Sequence, residues 1–253
     1  MGSQPMTNRS IMRLKGAGGF CLTELMIASA AGAVVLAATI QTLVHLQHRF
    51  ETQQISMAQQ QDLRIGLAIL ESEIRLAGTG AFPNATPLLK AAPQEVEFRA
   101  NLTGLGTDLV APATPGDTDL TVSSGSGWPK GKRVVLCIGD QCEEHQLISN
   151  GRKSQLSLAT PIVHSYPAGS RAILSNQIRY YLRSEADGVR HLMRQVDGGA
   201  STLISGLSRF HMRYLDADGK STSDVSQIRL LALELSLESR VHGIKSLIGL
   251  AAR

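Results

Sequence analysis

Aromatic residues are scarce in this 253-residue chain: one Trp, four Tyr and five Phe make up 4% of it. So thin a supply argues against a base-stacking platform for single-stranded nucleic acid. Cysteine is scarcer still, with three residues, too few for a disulfide-built scaffold and at spacings that fit no four-ligand zinc site. Charged side chains are 18% against 43% hydrophobic, which excludes both a disordered polar chain and one embedded wholly in lipid. Acids are missing from the first nineteen positions, where Arg9, Arg13 and Lys15 lie. Setting those three aside leaves 22 basic against 21 acidic residues, so the formal +4 describes the leader and the body supports no nucleic-acid partner. The seven histidines (His45, His48, His145, His164, His191, His211 and His242) are scattered, without an HExxH or paired-ligand spacing. There is no Walker-type loop and no G-x-S-x-G elbow. Neither catalysis nor a cofactor is expected.

What the sequence does contain is a long apolar run. Leu25 to Leu46 reads LMIASAAGAVVLAATIQTLVHL, with no formally charged side chain. At 1.5 Å per residue these positions span roughly 33 Å, close to the hydrocarbon thickness of a bilayer. The cations before it keep the N-terminus in the cytoplasm and send the rest of the chain across. A cleaved signal peptide ending near Leu36-Ala37-Ala38 would fit, and so would a plain anchor. Neither requires Glu24, a carboxylate inside the apolar stretch FCLTELMIA. Such a charge at membrane depth costs about 2.5–3.5 kcal/mol unless a cation meets it or it lies solvated at the interface. Cleavage between Gly19 and Phe20 would create that cation, a free amine four residues upstream and about 6 Å away along a helix. At an effective dielectric of 20, opposite charges about 4 Å apart gain on the order of 4 kcal/mol, comparable with the insertion cost.

Lys15-Gly16-Ala17-Gly18-Gly19-Phe20-Cys21-Leu22-Thr23-Glu24-Leu25-Met26-Ile27 resembles the processing motif of type IV pilins and type II secretion pseudopilins. The resemblance implies cleavage after Gly19 by a prepilin peptidase, which also methylates the new N-terminal Phe20. It implies as well that Glu24, the fifth mature residue, neutralises the amine of an adjacent subunit during filament assembly. Cys21 and Thr23 replace the commonest family residues, Thr and Ile, and Gln41 stands where many major pilins carry Pro. The leader is long; of the candidate starts Met1, Met6 and Met12, the last gives the short form MRLKGAGG.

No Pro interrupts Phe20 to Phe82, and helix formers dominate Glu51 to Ala77. Leu63, Leu67, Leu70, Ile74 and Ala77 recur at helical spacing, and Gly78 and Gly80 supply a stop. The expected organisation is a leader (1–19), a membrane or filament-core helix (20–47), an amphipathic helix (48–78) and a β-rich head (79–253). The head opens on a linker, Thr79 to Pro93, and nine β-type runs follow. They are Glu95–Ala100, Asp119–Val122, Arg133–Ile138, Glu144–Ile148, Gln155–Leu158, Gln177–Leu182, Val189–Gln195, Phe210–Leu215 and Ile228–Ser236. The fold class is α+β: one long helix on an antiparallel sheet, a type IV pilin-like arrangement with an extra β-rich module over 115–175.

Gln61-Asp62-Leu63-Arg64, Ile74 to Gly78, and the segment from Leu203 to Gly219 resemble parts of PilW-type minor pilins and of the J-type pseudopilin. The first is favoured by the extra module. That resemblance implies a low-copy pilus subunit that primes assembly or sits in a tip complex. Its expected partners are major and minor pilins, the inner-membrane assembly platform, a tip adhesin, and the lipid bilayer before assembly. A J-like pseudopilin or a DNA-uptake pilin is the alternative, the latter needing a basic face created by folding. In a periplasmic head, Cys137 and Cys142 form a candidate disulfide at a hairpin tip. Asp216-x-Asp218-Gly219 with Asp224 reads as a turn, since Val225 stands where a calcium loop wants an acid. Calcium is the minority alternative there.

Overall fold

The computed structural model describes residues 21–83, 85–186, 188–237 and 243–250. The Gly19–Phe20 junction lies outside them. An uninterrupted helix, α1 (Leu22–Arg75), runs for 54 residues. It ends three residues short of the expected limit at Gly78 because the chain tightens into turns there. Gly78 takes φ 92°, a left-handed conformation that suits glycine, and its amide donates to the Arg99 carbonyl at 2.6 Å. The chain divides into two compact units, Met1–Ile55 and Ser56–Arg253. The division falls eight residues after the expected limit of the membrane segment, because burial of the helix begins only beyond it.

In the second unit the helical stripe is buried. Leu63, Leu70, Ile74 and Ala77 are at most 2% exposed, and Leu67 is half-buried. They pack against two antiparallel sheets. The larger begins with β1 (Leu88–Ala92) and β2 (Glu95–Ala100). It continues through β3 (Gly106–Asp108), β5 (Arg133–Ile138) and β6 (Gln141–Gln146), and is completed by β8 (Arg171–Ser184), β9 (Arg190–Val196) and β10 (Gly199–Ile204). The second sheet is β11 (Leu207–Leu215), β12 (Leu230–Leu237) and β13 (Ile244–Gly249). A separate ladder joins β4 (Asp119–Thr121) to β7 (Gln155–Ser157). A helix followed by antiparallel sheets is an α+β fold. Three sheets, not one, complete it, and the linker expected over Thr79–Pro93 contains β1.

One strand organises the head. The fourteen residues of β8 point Ala172, Leu174, Ile178 and Tyr180 inward, but into two different cores. Its first part pairs with β3 and β5, its second with β2 and β9. The first core gathers the helical stripe with Val96, Phe98, Ile178, Tyr180, Met212 and Leu233. The second gathers Leu109, Leu120, Trp128, Leu136, Leu156 and Tyr166, with Leu105 packed against it. The module therefore reaches further toward the N-terminus than residue 115. Between the two cores the buried Asn176 accepts the Leu102 amide at 3.3 Å and donates to Asp197 at 2.8 Å, whereas the hydroxyl of the adjacent buried Ser175 has no partner among the described residues.

Candidate functional site

The N-terminal end of α1 is where the sequence places its chemistry. A helix leaves its first amides without intrahelical partners, and the resulting positive end attracts a carboxylate. Glu24 occupies that position. Its amide donates to the Cys21 carbonyl at 2.9 Å, and its Oε2 accepts the Cys21 amide at 3.3 Å. The carboxylate thus closes a local turn with Cys21, the first described residue.

The following segment is built for an apolar solvent. Residues 21–55 are all exposed, and Glu24 is the only Asp, Glu, Lys or Arg between Leu22 and Gln47. The helix is long and apolar enough to cross a membrane. Hydrocarbon offers no partner to a hydroxyl, and here the hydroxyls find theirs on the helix itself. Ser29 donates to the Met26 carbonyl at 2.9 Å, Thr39 to Val35 at 2.6 Å and Thr42 to Ala38 at 2.8 Å.

The second unit holds α1 through a charge that the apolar stripe does not announce. Glu73 is 8% exposed and accepts from Tyr180 Oη at 2.5 Å and from Arg194 Nε at 3.0 Å, with a further contact to Arg194 Nη2. Burial, and then the bond to Glu73, push the Tyr180 hydroxyl well above the ordinary tyrosine range. The bond to Glu73 raises Arg194 as well, which favours the charged guanidinium. Tyr180 and Arg194 are 107 and 121 residues away in sequence, and no local pattern could have paired them with the helix.

Two of the histidines that look scattered converge. Glu143 receives the Val163 and His164 amides at 2.8 and 2.7 Å, the His164 ring at 2.7 Å, the His145 ring at 3.1 Å and Tyr166 Oη at 3.2 Å. Burial opposes ionisation of this carboxyl, but the Val163 and His164 amides and the two histidine rings hold it at about 2. It ties the loop before β8 to β6. Cys137 and Cys142 face each other across the β5–β6 hairpin and are joined by a disulfide, Cα to Cα 4.2 Å. The turn between them is tighter than the sequence suggests: Ile138 pairs with Gln141, leaving only Gly139 and Asp140 in the loop.

The acidic loop closes on itself. Asp216 Oδ1 accepts the Asp218 and Lys220 amides, both at 2.9 Å, and Asp224 Oδ1 accepts the Ser226 amide at 2.9 Å and its hydroxyl at 2.7 Å. These are turn-forming contacts. Among the described residues no three His, Cys, Asp or Glu side chains gather to hold a metal ion. Folding does collect cations on the open face of the smaller sheet, where Lys245 and Arg213 lie 3.2 and 3.7 Å from Glu234, but Glu234 offsets part of their charge. Set against protein-family models, curated proteins and solved structures, the chain matches none of them.

Proposed function

We propose that this chain is a minor pilin of PilW type: a single-pass inner-membrane protein, cleaved after Gly19, methylated at Phe20 and incorporated in low copy into a type IV filament. The observation that carries this reading is Glu24. It is a single carboxylate at the start of a helix whose next two turns and more are apolar and exposed, bent back onto the Cys21 amide. An isolated charge there is a cost that selection for a mere anchor would remove. Beside a newly made amine of a neighbouring subunit it becomes the attraction that draws helices together, because opposite charges in a medium of low dielectric interact strongly. The head carries the helix on its Glu73 contact, and its disulfide suits an oxidising compartment outside the cytoplasm.

Two measurements test the reading. Intact-mass analysis of membrane-extracted protein is expected to show loss of everything through Gly19 and the gain of one methyl group. Glu24→Ala is expected to leave membrane insertion intact while depleting the protein from sheared filaments. An N-terminus elsewhere than Phe20 overturns the proposal, and undiminished incorporation of the variant overturns the charge-pairing mechanism.

A further inference from the structure

The outward face of the larger sheet carries a cavity of about 440 Å³, within the size range of small-ligand sites. Glu97 of β2, Arg133 of β5, Gln146 of β6, Gln177 and Arg179 of β8, and Gln195 of β9 line it, with Asp197 at one end. All these side chains end in amides, guanidiniums or carboxylates, so the site favours a polar ligand over an apolar one. Its charges also cancel. Arg133 and Arg179 stand against Glu97 and Asp197, which disfavours both a polyanion and a polycation.

The cavity is held in shape by its surroundings. Asp197 sits at φ 50° in the two-residue turn between β9 and β10. Its carboxylate accepts the Gln177 amide at 2.8 Å and Lys132 Nζ at 2.6 Å, which pins the turn to β8. Gln146 donates to the Gly131 carbonyl and Gln195 to that of Gly198, leaving each side-chain carbonyl to accept from a ligand. Arg179 is held to Glu95 through Nε at 2.6 Å, and Arg133 to Glu144 through Nη1 at 3.1 Å, so both guanidiniums keep N–H groups to donate. Arg179 also belongs to an adjoining cavity of about 390 Å³ containing Pro93, Tyr181 and Leu182, and lies 4.5 Å from the Tyr181 ring centroid.

We infer that this double cavity binds a neutral oligosaccharide. Planar side chains with paired donors and acceptors match adjacent sugar hydroxyls. Pro93 and Leu182 give the second lobe a small apolar shelf for the C–H face of a second sugar ring, one face of the Tyr181 ring being covered by the Arg179 guanidinium. The inference is independent of filament assembly, since it concerns the isolated head surface.

Saturation-transfer NMR on the detergent-solubilised full chain tests it, with maltotriose, chitotriose and lactose as neutral probes. A heparin disaccharide and tri-alanine are the anionic and peptide probes. At least one neutral sugar is expected to receive saturation, and Gln195→Ala or Arg179→Lys to weaken its affinity about tenfold. Both side chains are half-buried and also hold the head, Gln195 at the Gly198 carbonyl and Arg179 at Glu95, so an unaltered melting temperature is what separates lost binding from lost folding. Failure of all three sugars overturns the inference, as does preference for either control probe or indifference to both substitutions.

Discussion

Glu73 and Tyr180 are buried with a half-buried Arg194 against them, so removing one partner leaves the others without theirs. Glu73→Ala is expected to destabilise the detergent-solubilised protein by about 3 kcal/mol in urea unfolding, and Glu73→Met with Arg194→Met to recover much of that loss, because an apolar pair leaves no orphaned charge. Glu143 makes a different prediction. Its folded-state value of about 2 lies below the unfolded value of 4.5, so its contribution is complete above the latter and disappears as pH falls toward the former. The loss amounts to about 3 kcal/mol at most. Melting temperature should therefore decline between pH 4.5 and 2, and Glu143→Gln should flatten that decline while lowering stability at neutral pH. An equally steep acid limb in the variant would assign the effect to other carboxylates.

Elements show what the sequence could and could not disclose. The helix was legible because it lacks proline and because its apolar period, Leu63 to Ala77, matches 3.6 residues per turn. Strands β2, β5 and β11 were legible too, being bounded by turn residues and rich in β formers. The four strands that escaped notice, β1, β3, β10 and β13, each pair with a single neighbour. The legible β11 also has one neighbour, so edge position alone does not hide a strand; the first four residues of β10, Gly199-Ala200-Ser201-Thr202, are all exposed and show no alternation. The Asp197-Gly198 dipeptide just before β10 was the available signal for it. At the candidate site, Glu24 could be read because its context is local, whereas the partners of Glu73 and Glu143 are brought in by tertiary structure. One helical position adds a sharper test. A Cβ on the buried Gly66 would lie 2.5 Å from Ile204 Cγ1 and 2.9 Å from its Cδ1. Gly66→Ala is thus expected to lower stability by about 1–3 kcal/mol despite the better helix propensity of alanine, and Ile204→Ala in the same chain to relieve part of the conflict, as read by thermal unfolding.

Taken whole, the molecule combines one helix segment exposed along its full circumference with a unit that has two cores strung on a shared strand. Under the proposed function that division would assign separate work to its parts, the first meeting lipid or other helices and the second presenting surface. The register of β8 carries a consequence for how such a head could be rebuilt. Ala100 and Asn176 are directly opposed, so the whole stretch from Asn101 to Ser175, second core included, enters and leaves at neighbouring points on the tip of a β2–β8 hairpin. An Asn-Gly turn substituted for those residues would close the gap. The abridged chain should keep its first core and melt cooperatively, albeit at lower temperature for want of the Lys132–Asp197 and Arg99–Glu144 ion pairs, with circular dichroism as the check. A lineage could likewise gain or shed this cassette while leaving the seat of its helix untouched.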